Sequence, residues 1–250
     1  MDIRKLAAEG RADEIKRQLM DLDSQFNFEC HRCGKCCMHQ DTILFTPRDV
    51  FCIARKLGKT TSNVINEYAE TYIGAGSHLP VVHMVPRGPD EVCPFLEGNL
   101  CAIHDCKPTA CALFPLGRVI VNPADLEHFE RSQSEVRYIL NDIDCGSTEQ
   151  ANTVREWLAR FGVPEQDEFF LLWTELIIKL QGMVCDLEAH HASDAALDFF
   201  WQVIFIPLYQ DYDTSKEFLP QFRKASETLS ELCREVSKSL ERMEMSDSGK

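Results

Sequence analysis

The residues whose types and spacing most clearly indicate chemistry are nine of the ten cysteines in the first 145 positions. Four of them form a C-x-x-C-x-x-C-C run and five follow at looser spacing: Cys30, Cys33, Cys36, Cys37, Cys93, Cys101, Cys106, Cys111 and Cys145. Residues three apart in a tight turn can direct their sulfur atoms at one point, and thiolates are ligands that zinc and iron–sulfur centres prefer. The spacing therefore predicts a metal site made of cysteine thiolates.

A disulfide framework is the other explanation for clustered cysteines. It is disfavoured because the first 23 residues are charged throughout and contain no apolar core of a signal peptide. A chain of 250 residues also buries a hydrophobic core without covalent cross-links. We therefore expect a reducing, cytoplasmic compartment.

Composition narrows the classes of partner. Hydrophobic residues make up 44% of the chain and charged residues 26%, and no apolar stretch reaches the roughly 20 residues of a membrane-spanning helix. The formal net charge of -14 disfavours a nucleic-acid surface, which needs a clustered Lys/Arg face. We expect no membrane and no nucleic-acid partner, and a protein partner whose identity the sequence does not reveal.

The pattern of the chain predicts a mainly α protein with a loop-rich, metal-stabilised cysteine domain that contains a few short β-strands. Residues 1–150 are expected to form the cysteine domain, beginning with an amphipathic helix over 1–24, and residues 151–245 a helical region packed on it. Apolar anchors alternate with the second group of thiols, so that metal binding would contribute directly to folding. These anchors are Phe95, Leu96, Ile103 and Phe114.

Local signals predict several elements. A strand is expected over residues 42–45, followed by a helix to residue 57 that Thr46 caps, with Pro47 in its first turn and Asp49 at the third position. A helix over 62–72 and a strand over 79–85 follow. Three helices are expected in the remainder of the chain, over 164–183, 192–209 and 218–243.

The cysteine pattern resembles the YkgJ-type family, described as a zinc- or iron-chelating domain. The resemblance covers roughly residues 28–147 and rests on the C-x-x-C-G-x-C-C run, Cys93-x-Phe95-Leu96, Cys101-x-Ile103, Pro108-x-x-Cys111 with Phe114-Pro115, and Cys145-Gly146. It implies eight metal-ligating cysteines: Cys30, Cys33, Cys36, Cys37, Cys93, Cys101, Cys111 and Cys145.

The chain departs from the family pattern at four positions. His104 stands where the family usually has Tyr, Lys107 replaces Arg before the proline, Ala112 stands where Arg commonly follows the cysteine, and Cys106 is an additional thiol. These changes leave the implied ligand set intact. His104 and Cys106 are alternative ligands.

The number of centres follows from geometry. The adjacent residues Cys36 and Cys37 cannot easily bind one ion without strain, so one of them is expected to serve a different centre or to bridge two. The eight thiols suit two four-thiolate sites, or one [4Fe–4S] cluster with the others in a zinc site or left as thiols near the metal. The C-x-x-C-x-x-C spacing resembles the bacterial ferredoxin run, although the following C-P is missing, and favours iron–sulfur over zinc.

Other candidate residues have simpler interpretations. Cys52, Cys185 and Cys233 fall in helical stretches and are expected to be small buried hydrophobic residues. His31 and His39 are expected to hydrogen-bond near the cluster. His190, Asp194 and Asp198 share one helix face in the sequence pattern, where a solvated polar face is favoured over a metal site.

Three functions remain open from the sequence. The favoured one is an iron–sulfur protein with a redox or cluster-dependent role, and the second is a structural zinc protein that acts as a protein-interaction module. The third is a cluster-dependent enzyme, because the flagellin lysine N-methylases include a domain similar to this one. The sequence contains no phosphate loop, dinucleotide fingerprint or H-E-x-x-H motif, so we assign no catalytic residue. Enzymatic activity and oligomeric state stay open.

Overall fold

A computed structural model describes residues 18–38, 42–121 and 131–247. The helices in these residues are α1 (Pro47–Leu57), α2 (Thr61–Tyr68), α3 (Thr109–Leu113), α4 (Val154–Arg160), α5 (Glu168–Ala189), α6 (Asp194–Phe205, extended by a π-helical turn, Ile206–Gln210) and α7 (Phe218–Asp247). The strands are β1 (Gln25–Glu29), β2 (Leu44–Phe45), β3 (Ala69–Ile73), β4 (Pro80–Met84), β5 (Leu96–Glu97), β6 (Leu100–Cys101), β7 (Leu116–Val121), β8 (Glu135–Leu140) and β9 (Ser147–Thr153). The predicted class, mainly α with short strands and a cysteine-rich region, is confirmed.

The chain divides into two compact units whose segments alternate along the sequence. Unit 1 comprises Met1–Ile43, Met84–Asp125 and Ser132–Asp167, and unit 2 comprises Leu44–His83, Leu126–Arg131 and Glu168–Lys250. The division into domains 1–150 and 151–245 stays a prediction.

Unit 1 is built on two antiparallel strand pairs. Strand β1 pairs with β9, with Gln25 opposite Thr153 and Glu29 opposite Ser147, and β7 pairs with β8 over their full lengths. Alternation along β1 buries Phe26 and Phe28 and exposes their neighbours. These two rings join a core that also contains Leu113, Leu116, Tyr138, Val154, Trp157 and Leu158.

Unit 2 is mainly helical. Helix α1 begins with a capping box, since Thr46 Oγ1 accepts from the N–H of Asp49 at 3.2 Å and Asp49 Oδ2 accepts from the N–H of Thr46 at 2.8 Å. Strands β2, β4 and β3 form a three-stranded sheet in that order. Helices α5 and α7 pack through aromatic rings, with Phe169 and Phe222 centroids 4.8 Å apart.

The prediction of a helix over residues 1–24 is wrong where it can be compared. Residues 1–17 lie outside the described residues. In residues 18–24 there is no helix: the backbone of Met20 instead exchanges hydrogen bonds of 2.7 and 2.9 Å with Tyr138. Edge pairing with β8 therefore replaces helical hydrogen bonding in this segment.

Two further differences have local causes. The helix predicted over 62–72 ends at Tyr68, because Ala69 is extended and starts β3, whose Thr71, Tyr72 and Ile73 favour strands. The expected helix face of His190, Asp194 and Asp198 does not form, since α5 ends at Ala189 and α6 begins at Asp194.

The C-terminal helices predicted over 164–183, 192–209 and 218–243 are present as α5, α6 with its π-helical turn, and α7. The described residues include no helix with both the length and the apolar character required to cross a membrane.

Candidate metal centre

The first four cysteines lie in the loop that follows β1. Gly34 has a φ of +73° and starts a 3₁₀ turn, Lys35–Cys37, closed by a hydrogen bond of 2.8 Å from the N–H of Cys37 to the carbonyl of Gly34. A left-handed backbone is readily adopted only by glycine. The glycine of the C-G-x-C-C segment therefore turns the chain so that the adjacent Cys36 and Cys37 present their thiols together.

The strand pair β1–β9 brings Cys145 close to Cys30. Glu29 pairs with Ser147, and the intervening Gly146 has a φ of +69°. A Cβ atom at Gly146 would lie 2.3 Å from the carbonyl oxygen of Glu29 and 2.8 Å from Cε2 of Phe28. The close approach of this segment to β1 thus requires glycine at position 146.

Lys35 connects the turn that follows β1 with the segment that precedes β9. Its Nζ donates to the carbonyl of Asp144 at 2.7 Å and lies 2.9 Å from Oδ2 of that residue. The hydrogen bond with Asp144 raises the pKa of Lys35, and the same bond lowers the pKa of Asp144. The turn that carries Cys36 and Cys37 is therefore tied to the segment that carries Cys145.

A main-chain hydrogen bond joins the second group of cysteines to the first. The N–H of Cys93 donates to the carbonyl of Cys37 at 2.8 Å, and the N–H of Leu96 closes a turn onto Cys93 at 3.0 Å. The hairpin β5–β6 then places Cys101 opposite Leu96. Cys111 lies in the short helix α3, which begins after Pro108.

Apolar anchors hold these turns, as the sequence predicts. Phe95 and Ile103 are buried, while Leu96 and Phe114 are half-buried. Phe114 also packs edge-on against Phe28 at 5.9 Å between centroids. The second cysteine segment is therefore attached to the core of unit 1 by side chains that alternate with its thiols.

All twelve cysteines of the chain lie in the described residues and are free thiols. Cys36 Sγ lies 4.0 Å from Cys37 Sγ, and Cys37 also hydrogen-bonds with Cys93. The sulfur of Cys93 lies 3.8 Å from Met84 Sδ. Four sulfur atoms thus form a continuous chain of contacts through the two cysteine segments.

The thiols whose charges act on Cys145 are Cys36, Cys33 and Cys30, and we call these four residues the outer group. Cys36 also contacts Cys37, and the hydrogen bond with Cys37 is the largest cause that raises the pKa of Cys36. Burial, and then the charges of Cys36, Cys33, Asp144 and Cys30, raise the pKa of Cys145 to about 11. Cys30, Cys33 and Cys36 are exposed and Cys145 is half-buried. These four residues come from the loop after β1 and the segment before β9.

The remaining four, Cys37, Cys93, Cys101 and Cys111, form the inner group, and all are half-buried. The hydrogen bond with Cys36 lowers the pKa of Cys37. The hydrogen bond with Cys93 and burial raise it by more, so that the pKa of Cys37 is about 11. The hydrogen bond with Cys37 lowers the pKa of Cys93, against burial and the charges of Cys111 and Cys101.

The four inner thiols line a cavity of about 340 Å³, which Cys36 also borders. The rest of its wall is largely apolar and includes Met84, Phe95, Ile103 and Phe114. Thiolates are soft ligands suited to zinc and to iron–sulfur clusters. The donor set and the apolar wall therefore fit either kind of centre.

A second cavity, of about 560 Å³, adjoins the cysteines, and its wall contains three cationic side chains and one carboxylate, that of Glu29. Its wall includes Cys30, Cys36, Cys37 and Cys101 together with Arg32, His104, Lys107 and Arg160. Lys107 Nζ lies 5.1 Å from the ring centroid of Phe161, and Arg160 Cζ lies 4.8 Å from that of Trp157. The cations compensate the negative charge that bound thiolates would carry.

The two alternative ligands occupy different positions. His104 lies in the wall of the larger cavity, 6.0 Å from Phe161 between ring centroids, where burial and then the charges of Lys107 and Arg32 lower its pKa. Cys106 is half-buried at the end of the 3₁₀ turn His104–Cys106. Their role as ligands stays a prediction.

The structure adds residues that the sequence does not single out. Met84 and Asp144 stand outside the cysteine motifs, and no spacing signal identifies them. His31 is exposed, with Nε2 3.8 Å from Glu29 Oε2, and His39 lies outside the described residues. Of the three cysteines expected to be buried, Cys233 is buried and Cys52 half-buried, but Cys185 is exposed, so that prediction is wrong for Cys185.

Comparison with known proteins finds one match, which covers most of the cysteine segment. A family model named CxxCxxCC and described as a "putative zinc- or iron-chelating domain" matches residues 29–139, which confirms the YkgJ-type resemblance. No curated protein and no solved structure matches the chain. Residues 29–139 thus match the CxxCxxCC family model, and this match supports metal binding by the cysteine segment.

Proposed function

We propose that the protein is an iron–sulfur protein with two four-thiolate centres and a redox or cluster-dependent role. The observation that carries the proposal is the division of the eight family cysteines into two sets of four, the outer and the inner group. Cys36 and Cys37, 4.0 Å apart at their sulfur atoms, fall in different groups. This division supports one centre per group and relieves the strain of binding one ion through adjacent residues.

The inner group would hold an iron–sulfur cluster, most simply a [4Fe–4S] cluster. A zinc ion bound at about 2.3 Å from each sulfur needs little space beyond its ligands. The inner thiols instead surround about 340 Å³ of largely apolar cavity, which supports a polynuclear cluster. When bound, such a cluster supplies one-electron chemistry.

The residues of the chain would tune that chemistry. The apolar side chains of the inner cavity exclude water from the thiolates, and Arg32, Lys107 and Arg160 place positive charge in the adjoining cavity. Low solvent exposure and nearby cations both change the reduction potential of a thiolate-bound cluster. The outer group is more exposed, which supports electron exchange with a protein partner, expected in the cytoplasm.

Zinc is the second candidate, and one distance favours it. The edge of a tetrahedron with zinc–sulfur bonds of about 2.3 Å measures about 3.8 Å, close to the 4.0 Å between Cys36 Sγ and Cys37 Sγ. A zinc ion that bound both Cys36 and Cys37 would replace the division into two groups, and it would make the cysteine region a structural module for a protein partner. The lysine N-methylase alternative rests on the family resemblance alone.

Metal and acid-labile sulfide analysis of anaerobically purified protein, with a visible spectrum, tests the proposal. We expect iron with matching sulfide and visible absorption that dithionite bleaches. Cys93→Ser should lose iron and sulfide, whereas Cys52→Ser, in helix α1 of unit 2, should retain both. Colourless protein with stoichiometric zinc and no sulfide would overturn the iron–sulfur assignment.

A further inference from the structure

A second set of side chains that could hold a metal lies in unit 2 and includes none of the eight cysteines that the family resemblance implies. His78 precedes β4, and Cys185 and Glu188 lie one turn apart on α5. One ligand atom from each of the three lies within 4.8 Å of those from the other two. His78 Nδ1 is 3.1 Å from Oε1 and 3.0 Å from Oε2 of Glu188.

The loop that carries His78 is held in place by hydrogen bonds from two helices. The indole N–H of Trp201, on α6, donates to the carbonyl of His78 at 3.0 Å, and Gln181 Nε2, on α5, donates to the carbonyl of Gly76 at 2.9 Å. The N–H of His78 closes the turn onto Gly74 at 2.8 Å. The main chain that carries His78 is thus held in place by hydrogen bonds that need no ligand.

The backbone of His78 is strained. Its φ is +56°, a left-handed conformation that is unfavourable for a residue other than glycine. Such strain persists where the surrounding structure holds it, and it is concentrated at functional sites. His78 combines this left-handed conformation with a ring nitrogen, Nδ1, that lies within hydrogen-bond distance of the Glu188 carboxylate.

We propose that His78, Cys185 and Glu188 form a zinc site with three protein ligands. An imidazole, a thiolate and a carboxylate are all zinc ligands, and three protein ligands leave the fourth tetrahedral position for water or a substrate. The mixed sulfur, nitrogen and oxygen set suits zinc better than magnesium or calcium, which prefer oxygen alone. Closing the ligand atoms to tetrahedral separations requires side-chain adjustments of about 1 Å.

Two simpler explanations account for less. An exposed His–Glu ion pair contributes little to the stability of a protein, and it does not explain the exposed cysteine beside it. In a nucleophilic Cys–His–Glu arrangement the histidine should separate the carboxylate from the thiol. Here the carboxylate lies within 4.8 Å of Cys185 Sγ as well. A free thiolate would face that negative charge, whereas a divalent cation attracts both groups.

Zinc content at a fixed free zinc concentration tests the site. The full chain, His78→Ala and Cys185→Ser are dialysed against the same zinc buffer and their metal is quantified. Because the family cysteines also bind zinc, the difference between proteins is the readout. We expect each variant to hold one zinc fewer per chain than the unchanged protein. His190→Ala, which removes an exposed histidine just after α5, should hold as much zinc as the unchanged protein.

A second measurement uses the unchanged protein and therefore tests the site even if a variant folds poorly. Alkylation of Cys185 by iodoacetamide, followed by peptide mass spectrometry, is compared with and without zinc in the unchanged protein. Zinc should slow alkylation of Cys185 at least tenfold. In the absence of zinc, the thermal unfolding of His78→Ala should be close to that of the unchanged protein. Equal zinc content in all four proteins overturns the site. The site is also overturned if zinc does not slow the alkylation of Cys185 and if alkylation is faster in the unchanged protein than in His78→Ala. Those results would indicate a nucleophile that His78 activates.

Discussion

The N–H of Cys93 donates to the carbonyl oxygen of Cys37 at 2.8 Å. These residues are 56 positions apart in the chain, and the bond makes the end of the C-x-x-C-x-x-C-C run continuous with the second cysteine segment. The inner group therefore spans both segments, while the outer group closes through β1 and β9. The boundary between the two groups runs between the adjacent residues Cys36 and Cys37.

Single cysteine variants should remove one centre at a time. Cys111→Ser is expected to remove the inner centre and Cys33→Ser the outer centre, so that each retains roughly half of the bound metal. Cys233→Ser, in α7, should retain all of it. Metal analysis with low-temperature electron paramagnetic resonance after reduction identifies which centre remains. Loss of all metal in both variants would show a single shared centre.

Gly146→Ala should disrupt the outer group. The new Cβ would meet the carbonyl oxygen of Glu29 at 2.3 Å, in addition to the cost of a φ of +69°. Gly98→Ala is the matched control: Gly98 has a φ of +61°, and among the described residues outside its immediate chain neighbours no atom lies within 4 Å of the Cβ that alanine would add. The control should cost about 1–2 kcal/mol of stability, and Gly146→Ala should cost more and lower the metal content. Equal losses in urea unfolding and equal metal content would contradict the close approach.

Alkaline pH should destabilise the metal-free protein. The pKa of Cys145 rises from 9.0 to about 11 on folding, because burial and neighbouring thiols oppose its ionisation. The unfolded chain therefore loses this proton first, and the stability that the thiol contributes below pH 9 is lost as the pH rises toward 11. With metal bound the thiols are already deprotonated. Thermal unfolding across this range should fall steeply for the chelator-treated protein and less for the metal-loaded one.

Cys145→Ser is the control for that measurement. The metal-free variant should show a shallower fall between pH 9 and pH 11 than the unchanged metal-free protein. Identical slopes would mean that other groups cause the dependence.

The buried ion pair of Arg118 and Asp167 should be a major determinant of stability in unit 1. Arg118 Nη1 donates to Asp167 Oδ2 at 2.8 Å, and the two side chains are only 4% and 2% exposed. Asp167→Ala leaves a buried guanidinium without the carboxylate that faces it, which costs about 3–5 kcal/mol. Urea unfolding of metal-loaded protein measures this loss.

An exposed pair in the same unit provides the comparison. Asp23 Oδ1 lies 3.0 Å from Arg155 Nη2, with both side chains largely exposed. Asp23→Ala should cost about 1 kcal/mol or less. If Asp167→Ala lowers the free energy of unfolding by no more than Asp23→Ala does, the prediction for the buried pair is wrong.

Local signals in the sequence were sufficient for α1 and for the long helices of unit 2. Thr46, Pro47 and Asp49 predict the start of α1, and the capping box forms at that position. Its hydrogen bonds join residues three apart, so the necessary information lies within one turn of chain. The long helices α5 and α7 were likewise predicted from apolar periodicity.

The pairing that assembles the candidate site could not be predicted in the same way. Strand β9 reads Ser-Thr-Glu-Gln-Ala-Asn-Thr and lacks the apolar alternation of a half-buried strand, so the sequence contains no signal that it pairs with β1. Its position follows from contacts with residues more than 100 positions away. The resemblance implied the eight cysteines, but their division into inner and outer groups depends on this non-local pairing.

The pairing of β1 with β9 also sets an order of events during protein synthesis. Cys30 and Cys145 are 115 positions apart, which a ribosome covers in roughly 6–23 s at about 5–20 residues per second. Until then β1 has no partner strand, and the three exposed thiols of the outer group lack the fourth. The inner group is complete in sequence at Cys111, so under the proposal of two centres metal insertion can begin there while the residues of the outer group are still being translated.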